Sequence, residues 1–74
     1  MTGEPELIDA RGLLCPWPAL RLGRAARRMG GKGAVRILAD DPIAPAEISR
    51  LCAERGWECI VDPADAAAFN IRFR

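Results

Sequence analysis

The segment that decides the fold is Leu13-Leu14-Cys15-Pro16-Trp17-Pro18, where an extended stretch of chain gives way to a helix. A proline at a helix start already has the required φ, and the amide N–H that it lacks would have no partner in the first turn. Pro16 and Pro18 therefore mark and shape this helix start, and the sequence predicts Cys15 as the N-cap residue. Helix-start amides favour an anion, so we expect a Cys15 thiol that ionises easily. The alternative is a buried, inert cysteine.

Short strands and helices alternate on either side of this segment. Strands are predicted over 6–10, 34–39, 57–61 and 68–73, and helices over 16–29 and about 45–55. Gly30 and Gly56 follow the two helices, where a left-handed residue is favoured. The alanine-rich stretch 64–68 could hold a helical turn before the last strand.

The order βαβαββ predicts an α/β two-layer sandwich. Its four-stranded mixed sheet carries both helices on one face, because only this arrangement buries the apolar side of every element. Half of the 74 residues are hydrophobic, so the chain 1–74 is expected to form one domain with one core. The other face of the sheet must be solvated, covered by a partner or used.

Composition excludes several kinds of site. The chain has no histidine, which removes Cys-His nucleophiles and histidine metal ligands. Its three cysteines are irregularly spaced and lack a C-x-x-C motif, which predicts reduced thiols in a cytoplasmic protein. Adjacent Asp40 and Asp41 are a weak metal signal and fit a turn before Pro42 better. No long apolar run or secretory signal is visible, so we expect no membrane partner, metal or cofactor.

Charge is distributed unevenly along the chain. Residues 1–37 contain seven basic and three acidic side chains, and residues 38–74 contain four basic and seven acidic ones. A row of arginines on the first helix could dock a partner or contact RNA, or could simply be a solvated face; the row is Arg21, Arg24, Arg27 and Arg28. Cys52 and Cys59 are predicted to pack in the core rather than to act as redox thiols.

The residues from Leu7 to Pro18, with their Cys-Pro-x-Pro motif, resemble the N-terminal signature of the TusA/SirA-like sulfur-carrier family. The segment 37–42 is similar to the second-strand region of that family, and Ile48 with Cys52 matches its second helix. The resemblance extends over about residues 7–73. It implies a two-layer sandwich in which Cys15 carries sulfane sulfur as a persulfide.

The resemblance also implies partners. Family members receive sulfur from a cysteine desulfurase or a rhodanese-like donor. They pass it to an acceptor protein in tRNA thiolation, molybdenum-cofactor or sulfur-oxidation pathways. Such a protein is a sulfurtransferase-type persulfide carrier without a bound cofactor, and we expect a monomer or a weak dimer.

Three residues are candidates for partner contacts. Trp17, which stands where the family often has glutamate, could be an exposed docking aromatic or a lid over the helix start. Arg27 resembles a basic position in the family, and Asp41 could add partner recognition to its role in the turn. Ala44-Pro45 stands where a hydroxyl helix cap is expected.

Two other functions stay open at this point. A regulatory or nucleic-acid-binding module would use the arginine face, although the near-zero net charge disfavours direct nucleic-acid binding. A redox-responsive domain would require Cys15 to pair with Cys52 or Cys59, which their expected burial disfavours.

Overall fold

The computed structural model describes residues 5–73. The expected lack of a secretory signal concerns the first residues of the chain, which lie partly outside this range. The structure contains four strands and two helices in the predicted order. They are β1 (Glu6–Asp9), α1 (Trp17–Arg28), β2 (Ala34–Leu38), α2 (Ala44–Arg55), β3 (Glu58–Asp62) and β4 (Asp65–Arg72). Among residues 5–73, neither helix has the length and apolar character needed to cross a bilayer.

The sheet is mixed, with the strand order β1-β2-β4-β3. β1 runs parallel to β2, whereas β4 is antiparallel to both of its neighbours. The register aligns Ile8 with Ile37, and Ile37 with Phe69, across three strands. Residues that are aligned across neighbouring strands point to the same face, so these three side chains form one apolar row on one face of the sheet.

Both helices cover that apolar face, which confirms the predicted two-layer sandwich. The core joins the inward side chains of β2 and β4 to the buried faces of α1 and α2; its largest members include Leu22, Val35, Ile37, Ile48, Phe69, Ile71 and Phe73. On the opposite face, Arg36 Nη2 pairs with Asp62 Oδ2 at 2.8 Å, and Arg36 Nη1 donates to Asn70 Oδ1 at 3.2 Å. The open face therefore carries polar cross-strand contacts.

The predicted start of the last strand was wrong. β4 begins at Asp65, not at residue 68, and the alanine-rich stretch forms no helical turn. Two aspartates shape the connection, since Asp62 Oδ1 accepts the N–H of Ala64 at 2.8 Å and Asp65 Oδ1 accepts that of Ala67 at 3.0 Å. Pairing with β3 and these Asp turns outweighs the helix propensity of alanine.

The ends of α2 follow the expected signals in part. Ile43 occupies the N-cap and makes no side-chain cap bond, so no hydroxyl cap is present. Gly56 ends the helix in the left-handed conformation, with φ 75°, and its N–H donates to the carbonyl of Cys52. A residue with a Cβ would be strained there, which confirms Gly56 as the predicted helix stop.

Candidate functional site

Cys15 lies in the loop that joins β1 to α1, not at the N-cap, so that prediction was wrong. The N-cap residue is Pro16, and α1 begins at Trp17. The N–H of Trp17 donates to the carbonyl of Leu14 at 2.9 Å, which makes a turn around Cys15, and the Cys15–Pro16 peptide bond is cis. The thiol is therefore held just before the helix, outside the position where a side chain caps the first-turn amides.

Two successive carboxylates from the loop after β2 anchor the Cys15 loop. The N–H of Cys15 donates to Asp41 Oδ2 at 2.5 Å, and the N–H of Gly12 donates to Asp40 Oδ1 at 2.9 Å. Asp41 Oδ1 also accepts the N–H of Ile43 at 3.2 Å, which is the predicted turn role. Asp41 thus ties the thiol-bearing loop to the start of α2.

The surroundings of Cys15 raise the pKa of its thiol, which overturns the expectation of easy ionisation. Partial burial is the main cause, followed by the negative charge of Glu47 and the interaction of its carboxylate with the thiol. Asp41 adds to the repulsion of a thiolate, and Arg50 opposes it. Burial and the nearby carboxylates disfavour the thiolate, and Cys15 stands before the N-cap, outside the position where the first-turn amides act most strongly on a side chain.

Glu47 is a site residue that the sequence analysis did not identify. It lies in the first turn of α2, where an acidic residue is favoured by the helix dipole alone. Its side chain is mostly buried and pairs with Arg50 at 3.4 Å, measured from Glu47 Oε2 to Arg50 Nη2. No motif links Glu47 to Cys15, because their proximity arises from the packing of α2 beside α1.

Exposed apolar side chains lie on the Cys15 loop, on the first turns of α1 and at the start of α2. Leu14 is 70% exposed, Trp17 56%, Leu20 53% and Ile43 54%. Pro18, by contrast, is buried in the first turn of α1. This much exposed apolar surface around a reactive group is typical of a protein-binding site, and the exposure of Trp17 favours the docking alternative over a lid.

Arg27 lies in a groove between α1 and α2 that begins at the site. The groove has a volume of about 280 Å³ and is lined by residues that include Pro16, Leu20, Glu47 and Leu51. Among residues 5–73, the guanidinium of Arg27 makes no ion pair. A cation is therefore available at the edge of a groove whose lining includes Pro16, the residue after Cys15.

The predicted arginine face is not uniform. Arg28 forms a two-pronged ion pair with Glu6 of β1. Its Nη2 donates to Glu6 Oε2, and its Nη1 donates to Glu6 Oε1 at 3.0 Å. Within residues 5–73, Arg21 and Arg24 have no carboxylate partner. Arg28 thus fastens α1 to the edge of the sheet, and the other arginines of the row remain exposed.

The remaining cysteines lie away from this loop. Cys52 is buried in the core, as predicted, and Cys59 is half-buried and packs against it. In the described part of the chain, no group of three or more Cys, His, Asp or Glu side chains could hold a metal ion.

Three comparisons place this fold and loop among known proteins. The sequence profile of a family described as "Sulfurtransferase TusA" matches residues 6–74. The sulfur carrier protein TusA of Pseudomonas syringae pv. syringae is 32% identical over 69 residues, which cover 93% of this chain and 81% of the relative. The TusA protein of Pseudomonas syringae pv. tomato is 30% identical over 63 residues, or 85% of this chain and 75% of the relative.

A solved structure shows the same architecture. The crystal structure of a SirA-like protein from Desulfitobacterium hafniense superposes with a TM-score of 0.68 and 26% identity. The match covers 88% of this chain and 89% of that protein. The profile match along nearly the whole sequence, the curated relatives and the shared sandwich lead to one conclusion: this chain belongs to the TusA family of sulfur-carrier proteins.

Proposed function

We propose that Cys15 is the sulfur-carrying residue, which accepts sulfane sulfur as a persulfide and passes it to an acceptor protein. The observation that supports this most directly is the position of Cys15 in a carboxylate-anchored surface loop, framed by exposed apolar side chains. Cys52 and Cys59 pack in or against the core, where another protein's cysteine would reach them poorly. Pro16 and Pro18 shape the loop by fixing the start of α1.

Uptake begins with removal of the thiol proton. Glu47 is the carboxylate that raises the pKa of the Cys15 thiol most strongly after burial, so it is placed to accept the proton. The Cys15 thiolate attacks the outer sulfur of the donor persulfide, and a new S–S bond forms as the old one breaks. The donor cysteine leaves as a thiolate and takes up the proton, which leaves a persulfide on Cys15.

Release repeats this exchange in the opposite direction. An acceptor thiolate attacks the outer sulfur of the Cys15 persulfide, and the Cys15 sulfur leaves with the bonding electron pair. A thiol with a raised pKa is a slower leaving group. The carboxylates near Cys15 therefore favour retention of the sulfur until an acceptor is bound and a proton can be returned.

Docking surfaces surround the thiol. Trp17 supplies exposed aromatic surface, Arg27 supplies a cation that has no ion pair among residues 5–73, and Asp41 holds the loop in position. A cysteine desulfurase or a rhodanese-like protein serves as the donor. The acceptor belongs to tRNA thiolation, molybdenum-cofactor or sulfur-oxidation chemistry, and the exchange takes place in the cytoplasm without a bound cofactor.

The proposal is tested by intact mass measurement after incubation with a cysteine desulfurase and cysteine. We expect a gain of one sulfur atom that a reductant removes. The gain should be lost in Cys15→Ala and kept in the control Cys52→Ala, whose altered position lies in the core. A gain that persists in Cys15→Ala, or no gain with this donor, polysulfide or a rhodanese with thiosulfate, would refute it.

The nucleic-acid alternative has a separate signature. Exposed Arg21 and Arg24 have no ion-pair partner within residues 5–73 and could contact phosphates. Such binding would weaken steeply with salt and would survive Cys15→Ala. Persulfide formation that depends on Cys15, without salt-sensitive RNA binding, separates the two functions.

A further inference from the structure

The structure brings together two thiols that the Cys15 chemistry does not use. Cys52 lies in the last turns of α2, and Cys59 lies on β3, at the position that pairs with Ile71 of β4. Ile71 points into the core. Its cross-strand partner Cys59 therefore points to the same face of the sheet, the face that α2 covers. Topology alone therefore directs both sulfurs to the boundary between α2 and β3.

The two thiols interact directly there. Burial raises the pKa of Cys52 to about 12 and the neighbouring Cys59 adds to the rise, whereas Cys52 and Ser49 both oppose the rise that burial causes in the pKa of Cys59. Ser49 and Cys52 are three residues apart on α2, so they share one face of the helix. Cys59 thus sits against the helix with one sulfur and one hydroxyl as neighbours.

The short connection between the elements fixes this arrangement. Gly56 ends α2, and the N–H of Trp57 donates to the carbonyl of Cys52 at 2.9 Å just before β3 begins. Trp57 also packs on Phe73, with ring centroids 4.7 Å apart. The backbone between the two cysteines is therefore held at both ends, which keeps the sulfurs near each other in the folded chain.

We propose that Cys52 and Cys59 form a second sulfur-reactive site, which discharges sulfane sulfur as hydrosulfide and closes an internal disulfide. The half-buried Cys59 is the point of entry, because Cys52 is only 2% exposed. The Cys59 thiolate attacks a polysulfide, takes one sulfur atom and becomes a persulfide. The shortened polysulfide leaves with the bonding electron pair.

The second step joins the neighbouring sulfurs. The Cys52 thiolate attacks the inner sulfur of the Cys59 persulfide, the S–S bond to the outer sulfur breaks, and hydrosulfide leaves. The sulfane sulfur is reduced to hydrosulfide, and the two cysteines are oxidised to a disulfide. No additional oxidant is needed. Proximity makes this closure effectively intramolecular, which compensates for the small thiolate fraction of buried thiols.

This site would keep the family's sulfur chemistry confined to one residue. A sulfur atom that reached Cys59 by error would be released instead of remaining as a second persulfide. The resulting disulfide would connect α2 to the edge strand β3 until a thiol reductant reopened it. The proposal concerns Cys52 and Cys59 alone and can be tested whether or not Cys15 carries sulfur.

The test uses the full chain with Cys15→Ser, treated with sodium tetrasulfide at pH 8.5 without a reductant. We expect the mass to fall by two hydrogen atoms per chain, with release of one hydrosulfide. A Cys52–Cys59 peptide pair should appear in a non-reducing digest and vanish after reduction. A persulfide that persists on the folded chain, or thiols that stay unreacted, would overturn the proposal.

A matched variant isolates the second step. In Cys15→Ser with Cys52→Ala, Cys59 should take up one sulfur atom and keep it until a reductant is added. In Cys15→Ser with Cys59→Ala, neither the adduct nor the disulfide should form. Circular dichroism verifies that each variant is folded. If a variant of Cys52 or Cys59 does not fold, the result with the Cys15→Ser chain alone decides the outcome.

Discussion

The backbone N–H of Cys15 donates to Oδ2 of Asp41, 26 residues further along the chain, at 2.5 Å. Through this bond the loop after β2 sets the position of the loop that carries the proposed sulfur acceptor. Asp41 also accepts the N–H of Ile43, so one carboxylate fastens both loops at the head of the two helices. The thiol position therefore depends on β2 and α2 as much as on α1.

Asp41→Ala should destabilise the fold and release the Cys15 loop. Loss of two amide hydrogen bonds to one carboxylate is expected to lower the free energy of unfolding by about 1–2 kcal/mol. Urea unfolding measures this change, and hydrogen exchange should show faster exchange at the Cys15 amide. Asp40→Ala is the matched control, because Asp40 holds the Gly12 amide instead. Equal effects of both variants on the Cys15 amide would contradict the anchoring role.

Glu47→Gln should lower the pKa of Cys15, because it removes the nearby negative charge that helps to raise that pKa. The pKa is raised in the native protein, so the variant contains more thiolate at pH 8 and Cys15 should be alkylated faster. Sulfur transfer from the donor should nevertheless slow by about a hundredfold, since the proton acceptor is lost.

The control for this change is Glu54→Gln, a groove residue that does not contribute to the pKa of Cys15. It should leave the pH profile of Cys15 alkylation unchanged. If alkylation and transfer both accelerate in Glu47→Gln, Glu47 acts only by repelling the thiolate and is not a proton acceptor.

Trp17→Ala should weaken binding of the sulfur donor by about tenfold or more, as expected for an exposed aromatic at the centre of a protein interface. Calorimetric titration with a cysteine desulfurase measures the affinity. Uptake of sulfur from polysulfide should not change, because a small donor needs no docking surface. Val61→Ala removes a similarly exposed apolar side chain on β3 and should leave donor binding intact.

Leu22→Ala and Leu20→Ala separate the inner and outer sides of α1. Leu22 is fully buried, so its truncation should cost about 2–5 kcal/mol of unfolding free energy. Leu20 is exposed, and its truncation should change stability by no more than about 0.5 kcal/mol. Urea unfolding of both variants provides the comparison. Similar losses would place Leu20 in the packing of α1 against α2.

Local sequence patterns predicted most of the fold. The strand predicted over 34–39 is present as β2, with Val35 and Ile37 buried, and Gly56 marks a helix end in the left-handed conformation. The start of β4 was missed because alanine has no strand preference of its own, and the pairing with β3 is a tertiary contact.

The site was less accessible to sequence reasoning. The two prolines after Cys15 correctly indicated a helix start, but they could not show that Pro16 itself is the N-cap. The acceptor of the Cys15 amide and the carboxylate beside its thiol come from distant positions, Asp41 and Glu47. Burial and these packed carboxylates raise the pKa of the Cys15 thiol, so the direction of the shift could not be inferred from the helix dipole.

The order β1-β2-β4-β3 has a consequence for how the protein is made. β4 follows the other three described strands in chain order, yet it is the strand that joins β3 to β2. While a ribosome is still adding residues before Phe69, β3 has no strand in the described sheet to pair with. The apolar faces of both helices then lack a complete sheet to pack against. The core can therefore close only after β4 has emerged, and a nascent chain before that stage offers its apolar surface to chaperones.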